Sequence, residues 1–174
     1  MKYLFNTLAI ICIITAFSSC NNTDDVHRIF TKGKKKMTML LISTSSSARE
    51  QNVWGDDTNA KKASMELKDI DGHYEIIFNG EPEGGEARGE FSGRAVKSTF
   101  EGTWWADGHT NQVSMRLSRV SGNETDVLAK EFIKALQAGV YKYQGDDQSL
   151  SLFYKENNKE SKKYIGFITL DRDK

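Results

Sequence analysis

The chain is poor in the residues that cross-link or interrupt a fold. Its 174 residues include two cysteines, Cys12 and Cys20, and one proline, Pro82. Cys12 lies in an apolar N-terminal stretch that we predict to be cleaved, which leaves Cys20 as the sole cysteine of the mature chain. A disulfide framework of the kind found in small exported proteins is therefore excluded, and the folded part must depend on its hydrophobic core for stability.

The sequence also has no apolar run that is long enough to cross a membrane as a helix. The longest, Tyr3–Phe17, has about 15 residues, and a transmembrane helix needs roughly 20. Lys2 precedes this run, and Ser18-Ser19-Cys20 follows it. The order resembles a bacterial lipoprotein signal peptide; the alternatives are an ordinary cleavable signal and an N-terminal anchor helix. We predict a signal over residues 1–19, lipidation of Cys20, and an outer membrane lipoprotein of a gram-negative bacterium; exposure at the cell surface and a periplasmic orientation are the two alternatives.

Neither sign of charge is in excess. The chain has 24 Lys and Arg against 24 Asp and Glu, and loss of Lys2 with the signal leaves 23 against 24, a net charge of about −1. Binding to a nucleic-acid backbone depends on a basic excess, so nucleic acid is excluded as a partner. The run Lys32–Lys36 is locally basic, and we interpret it as a solvated charge cluster.

The segment that follows Cys20 is polar and acidic, Asn21-Asn22-Thr23-Asp24-Asp25. This composition does not favour packing, so we predict a tether over residues 20–32. A short acidic segment at this place also resembles the surface-export signal of lipoproteins in some gram-negative groups. Residues 33–174 remain, which are enough for a single domain with its own core.

Most of that domain consists of short β-branched and aromatic runs separated by turn residues. The pattern predicts strands at 37–43, 73–78, 88–96, 98–105, 112–118, 140–144, 149–154 and 164–170. A short helix is predicted over Thr58–Asp69, and a polar loop over Thr44–Gly55.

A second helix, amphipathic and in the C-terminal half, is predicted over Glu124–Ala138. Ser121 and Glu124 have capping-box spacing, and an apolar stripe contains Phe132 and Leu136. Many short strands with this helix indicate an α+β fold, mainly antiparallel β, built as a small barrel.

The C-terminal two-thirds, about Tyr74 to Leu170, resembles the META/HslJ-like domain. The resemblance depends on Gly84-Gly85 after a strand that ends in Phe78, on Phe91-Ser92-Gly93-Arg94, on Phe100-Glu101-Gly102-Thr103-Trp104, on the helix Glu131–Leu136, and on the closing strands at Val140–Tyr143 and Ser149–Leu152. The Gly-Cys-Asn turn of that family is missing. An uncharacterised lipocalin-like bacterial lipoprotein family is the other resemblance. Either implies a META/lipocalin-like barrel, and META-like domains are associated with envelope stress and antibiotic resistance, without established catalytic residues.

No motif points to a catalytic, metal or cofactor site. His27, His73 and His109 are far apart in sequence, and no pair has metal-ligand spacing. There is no G-x-S-x-G nucleophile motif and no phosphate-binding glycine loop ahead of a helix. We therefore expect no catalytic residue, no metal and no cofactor.

The one ligand-site candidate lies at the end of a predicted strand. Strand alternation places Phe100, Gly102 and Trp104 on the core face and turns Trp105 outward. Asp107 and His109 follow and supply polar neighbours. An outward tryptophan with such a rim predicts a contact site for a glycan or a protein partner. The alternative is that the helix or a loop covers Trp105.

These observations favour a non-enzymatic binding or interaction module attached to the envelope by its N-terminal lipid. Two alternatives stay open: a lipocalin-like carrier of a small apolar ligand, and a glycan or peptide hydrolase. A carrier needs an open apolar interior, whereas the bulky inward residues Phe78, Phe91, Phe100, Trp104, Leu128 and Phe132 predict a filled one. The sequence leaves the ligand, the envelope protein or glycan partner, the membrane leaflet and the oligomeric state open.

Overall fold

The computed structural model describes residues 23–43, 47–155 and 162–171, so the predicted signal and Cys20 lie outside the described residues. Three helices are present in this part: α1 (Thr23–Thr31), α2 (Thr58–Asp69) and α3 (Val127–Gln137). The nine strands are β1 (Lys34–Ser43), β2 (Ala48–Glu50), β3 (Glu75–Glu83), β4 (Glu86–Arg94), β5 (Thr99–Asp107), β6 (Gln112–Ser121), β7 (Val140–Gly145), β8 (Ser149–Tyr154) and β9 (Lys162–Leu170). None of the described helices is long and apolar enough to span a membrane.

All nine strands belong to one sheet, whose order is β2-β1-β3-β4-β5-β6-β7-β8-β9 with antiparallel pairings. β1 also pairs with β9 from Lys34↔Leu170 to Ser43↔Lys162, so the sheet returns on itself as a ring. The ring is uneven, because β6 and β7 share the single register pair Gln112↔Lys142. Helix α3 contacts β6, β7 and β9 beside this junction. The predicted α+β, mainly antiparallel class is confirmed in this coarse form.

The meander β3-β4-β5 is continuous because glycines leave room for large rings on the neighbouring strand. A Cβ atom on Gly93 would lie 2.5 Å from the Phe100 ring, and one on Gly102 would lie 2.8 Å from Phe91. Both distances are shorter than real carbon contacts, so no other residue fits without a shift. The predicted inward set of Phe78, Phe91, Phe100, Trp104, Leu128 and Phe132 is confirmed as buried.

Helix α3 is shorter than predicted and begins at a different cap. Asp126 is the N-cap, and its side chain accepts from the Ala129 N–H at 2.8 Å. The predicted capping box of Ser121 and Glu124 is therefore wrong. The Glu124 carboxylate instead accepts from the backbone N–H groups of the β4–β5 turn, at 2.8 Å from Lys97. Burial alone would raise the pKa of Glu124, but its N–H donors outweigh burial and hold that pKa below the usual value.

The interior is filled by side chains from the sheet and from two helices. Phe132 of α3 is fully buried, and its ring lies 5.8 Å from those of Tyr74 and Phe100 and 6.2 Å from that of Phe167. Leu136, one turn further on, is 1% exposed. The apolar stripe of the predicted helix therefore faces the centre of the ring, as its periodicity indicates.

Residues 23–31 do not behave as the tether predicted for 20–32. They form helix α1, which contacts β3, β4 and β8. Val26 and Phe30, one helical turn apart, are 1% and 0% exposed. The Phe30 ring stacks on Trp104 at 4.7 Å and 18° and meets Phe78 edge-on at 5.2 Å. The folded unit thus begins well before residue 33, because these two apolar side chains fill one end of the ring.

The basic run after α1 is also part of the fold. Lys35 is fully buried, and its ammonium donates to the Lys32 carbonyl at 2.9 Å and to the Thr169 hydroxyl at 2.7 Å. Lys36 donates to the His73 carbonyl at 2.7 Å. The interpretation of this run as a solvated charge cluster is therefore wrong, because β1 lies between β3 and β9.

Candidate ligand-binding cleft on the outer face of the sheet

Trp105 lies on the outer face of β5, as strand alternation predicts, but its ring is half-buried. Its register neighbours are Arg88 on β4 and Ser114 on β6. The indole Nε1–H donates to the Glu86 carboxylate at 2.6 Å. The polar edge of the ring already has a partner within the protein, so a ligand at this point would meet the ring face and not the N–H.

Asp107 has a structural task in the β5–β6 turn. Its carboxylate accepts from the Thr110 hydroxyl at 2.6 Å and from the His109 N–H at 2.7 Å. These bonds lower the pKa of Asp107, and the bond from the Thr110 hydroxyl has the largest effect. His109 is exposed at the tip of the turn. The structure therefore brings Asp107 and His109 together through the backbone, and no hydrogen bond or ion pair within the described residues joins either of them to Trp105.

The histidines do not come together in the fold, since His27 and His73 each contact a different part of the backbone. His27 contacts the Gly80 carbonyl at 2.9 Å through Nε2, and His73 contacts the Leu67 carbonyl at 2.9 Å through Nδ1. Across the described ranges, no three His, Cys, Asp or Glu residues are grouped as metal ligands would be.

One buried chain of hydrogen bonds places a serine beside a carboxylate, which resembles part of a catalytic arrangement. Its role here is to connect two helices and a strand. Ser64 of α2 and Tyr74 each donate to the Asp126 carboxylate at 2.6 Å, and Trp54 donates to Ser64 at 2.9 Å. Ser64 and Tyr74 are fully buried. Burial, and then the bond to Asp126, raises the pKa of Tyr74. This chain connects α2 and α3 to the start of β3, and its hydroxyls are not accessible to a substrate.

A cleft of about 520 Å³ lies on the outer face of β3–β6. Strand register explains its shape, because cross-strand neighbours form two rows across the four strands. One row is Ile77, Ser92, Glu101 and Arg119, and the other is Glu75, Arg94, Thr99 and Ser121. The cleft thus has an arginine on β4 and another on β6, with hydroxyl groups between them.

Both arginines are positioned through Nε. Arg94 Nε donates to the Val96 carbonyl at 3.0 Å, and Arg119 Nε donates to the Ser121 hydroxyl at 3.0 Å. In the part of the chain that the structure describes, no carboxylate oxygen lies within 4.0 Å of either guanidinium. The terminal amino groups of a guanidinium are donors of fixed geometry. The cleft therefore presents two cationic donor groups that form no ion pair with the described residues.

The carboxylates of Glu75 and Glu101 also line the cleft, and they differ in burial and in ion pairing. Glu75 is mostly buried and has amines close by, with Lys34 Nζ at 3.3 Å and Lys36 Nζ at 4.0 Å. Burial lowers the pKa of Lys36, and Glu75 acts in the opposite direction. Glu101 is exposed and is the register neighbour of Arg119. Lys34 and Lys36 offset the negative charge of Glu75. Glu101 is therefore the lining carboxylate whose charge reduces the positive charge of the two arginines.

Comparison with known proteins shows the family. A family model described as a domain of unknown function, DUF4847, matches residues 21–169. The chain belongs to the DUF4847 family. A search of curated proteins found no match. The family match starts at residue 21, which agrees with helix α1 as part of this DUF4847 domain.

A solved structure supports the same assignment. The crystal structure of a DUF4847 family protein from Bacteroides vulgatus is 26% identical in sequence, with a TM-score of 0.59. The alignment covers 82% of this chain and 96% of that one. The predicted META/HslJ-like membership is therefore wrong. The glycines and aromatic residues that suggested it are those that any tightly packed antiparallel meander with an inward helix requires, and the diagnostic Gly-Cys-Asn turn is absent.

Proposed function

We propose that this DUF4847 protein is a non-enzymatic binding module of the cell envelope, attached through lipid on Cys20, whose outer-face cleft binds a ligand that bears a carboxylate. The observation that supports this most directly is the pair Arg94 and Arg119, which face one cleft without an acidic partner among the described residues. Arginine binds carboxylate oxygens through two parallel hydrogen bonds, so the chemistry of the cleft matches this group.

Apart from the carboxylates Glu75 and Glu101, the remaining lining suits a small, hydroxyl-rich acid. A volume of about 520 Å³ is in the usual range for small-molecule sites. Ser92, Thr99 and Ser121 supply hydroxyl groups, and Ile77 supplies an apolar surface. A uronic acid and a free organic acid share the carboxylate, and the hydroxyl groups of the cleft favour the uronic acid.

The two other functions have less support. A carrier needs room inside the ring, but Phe30, Phe78, Trp104 and Phe132 occupy the centre with 3% exposure or less. A hydrolase needs a nucleophile beside a base in an accessible place, whereas Ser64 is buried and donates to Asp126. No observation on the described residues favours either over a binding module.

Replacing the cleft arginines tests the site. We expect Arg94→Gln and Arg119→Gln each to weaken glucuronate binding by about tenfold or more, because each removes a charge-assisted hydrogen bond. Isothermal titration calorimetry with glucuronate, galacturonate, succinate and citrate, and with glucose as the neutral sugar, measures the effect and separates sugar acids from free organic acids. Arg116→Gln is the matched control, since Arg116 is an exposed arginine of the same strand outside the cleft. Equal binding of glucose and glucuronate, or no binding of any acid, would contradict the proposal.

The lipid anchor has its own test. We expect Cys20→Ser to abolish metabolic fatty-acid labelling and to release the protein from the membrane fraction, because the thiol is the acylation point of the lipoprotein signal. Cys12→Ser is the control, since that cysteine lies within the predicted signal and its loss should leave labelling unchanged. Labelling that persists in Cys20→Ser would show that the lipoprotein interpretation is wrong. Protease treatment of intact cells then tests surface exposure.

A further inference from the structure

A second concave surface lies on the far part of the ring, on the outer face of β7–β9. Its volume is about 480 Å³. Phe153 on β8 and Tyr164 on β9 are register partners, with ring centroids 5.1 Å apart and planes 31° apart. Tyr141 on β7 lines the same cleft. We call these three aromatic residues the outer platform.

The outer platform is not an extension of the core. Along β8 the inward residues are Leu150, Leu152 and Tyr154, which leaves Phe153 on the opposite face. Phe153 is itself 9% exposed, while Tyr141 and Tyr164 are half-buried. The accessible aromatic surface therefore comes from the two tyrosines, and Phe153 supports Tyr164 from the side.

The described polar groups that line the platform are cationic or neutral. Lys142, Lys162, Gln144, Ser151 and Ser43 line the cleft, and none of its described lining residues is acidic. The Lys155 ammonium lies 5.9 Å from the Tyr141 ring centroid. The surface thus combines ring faces with ammonium groups at the rim.

We propose that the outer platform binds a saccharide chain that carries acidic groups. The C–H face of a pyranose ring is apolar and packs on an aromatic face, while its hydroxyl groups bind the amide and serine side chains beside that face. The lysines then pair with carboxylate or sulfate groups of the chain. This site is separate from the arginine cleft on β3–β6, and the proposal does not depend on the function proposed for that cleft.

A single-stranded nucleic acid also stacks on aromatic residues beside cations. The neutral lining favours the saccharide, because the side chains of Ser43, Gln144 and Ser151 can exchange hydrogen bonds with its many hydroxyl groups. A nucleic acid is therefore an outcome that the experiment must be able to reveal.

The test measures binding of galacturonate hexamers by calorimetry, with maltohexaose as the neutral probe and a twelve-nucleotide thymidine strand as the nucleic-acid probe. Tyr164→Ala is expected to weaken hexamer binding by about tenfold, as truncation of an aromatic anchor does. Tyr164→Phe keeps the ring and is expected to bind normally. Lys142→Gln together with Lys162→Gln is expected to weaken binding of the hexamer and to leave the melting temperature unchanged. Lys97→Gln, an exposed lysine on the β4–β5 turn, is the control.

Because galacturonate units could also occupy the arginine cleft, the series is measured in a chain that carries Arg94→Gln and Arg119→Gln, and hexamer binding at the platform should persist in that background. The proposal is overturned if Tyr164→Ala binds the hexamer as the unaltered protein does, if maltohexaose binds as tightly, or if the thymidine strand binds more tightly. Should Tyr164→Ala fail to fold, the double lysine variant decides, and undiminished binding in it overturns the proposal.

Discussion

Trp104→Ala is expected to lower the free energy of unfolding by about 3–5 kcal/mol, the usual cost of removing a large buried ring. Trp104 is 3% exposed, and its ring stacks on Phe30 at 4.7 Å and meets Phe78 edge-on at 5.5 Å. Its Nε1–H also donates to the Asn79 carbonyl at 3.0 Å. The truncation therefore leaves a cavity at the centre of the ring and removes one donor from the Asn79 carbonyl, and urea denaturation measures the loss.

Trp105→Ala is the matched control, because the neighbouring residue faces the other side of the same strand. Its ring is half-buried and donates to Glu86, so we expect a loss of about 1–2 kcal/mol. Equal losses in the two variants would mean that both rings are structural, and the contact site predicted at Trp105, Asp107 and His109 would have no support. A smaller loss with reduced glycan or partner binding would support that site.

Phe30→Ala is expected to cost about 3–5 kcal/mol as well, although this residue follows shortly after a polar, acidic segment. Its ring is fully buried among Trp104, Phe78 and Tyr143. A residue of a solvated tether would change stability by roughly 0.5 kcal/mol or less. The measured value thus distinguishes a docked helix from a tether.

Arg28→Ala is the control on the same helix, since Arg28 is exposed and pairs with Asp25 at 3.2 Å. We expect that variant to lose no more than about 1 kcal/mol, the usual worth of a surface ion pair. Because Phe30 and Trp104 are stacked, the double variant should lose less than the two single losses together. Additive losses, or an unchanged stability in Phe30→Ala, would show that α1 does not dock as the structure places it.

The local sequence pattern was sufficient to predict most of the helices and strands. Helix α2 begins and ends where its sequence predicts, at Thr58 and Asp69, and Asp57 caps it by accepting from the Ala60 N–H. Strands β3–β6 follow alternation, and glycines mark the β3–β4 and β5–β6 turns. The short strand β2 was missed inside the predicted loop at Thr44–Gly55, because three residues, two of them charged, are too few to show a periodic signal.

Helix α1 shows where local composition misleads. Its nine residues include acids and only a few apolar side chains, which in isolation would not form a stable helix. The i, i+4 spacing of Val26 and Phe30 was the available signal. What stabilises the helix is burial of those two side chains by strands that lie more than forty residues further along the chain.

The two proposed binding sites could not be read from the sequence, since each depends on register between strands. Arg94 and Arg119 are far apart in the chain and become neighbours of one cleft through the pairings Ser92↔Glu101 and Glu101↔Arg119. Tyr141 and Tyr164 likewise share a cleft only because β8 lies between their strands. Strand alternation predicts which face a single residue such as Trp105 lies on, but it does not predict which residues of two different strands become neighbours.

The sequence by itself determined the inward set of aromatic residues, the two longer helices and the alternation of each strand, because these follow from the periodicity of a few neighbouring residues. Tertiary structure alone decided that α1 enters the ring, that Lys35 is buried, and which polar side chains meet outside it. These outcomes depend on closure of the sheet between β1 and β9, and no local segment encodes the contacts that such closure creates.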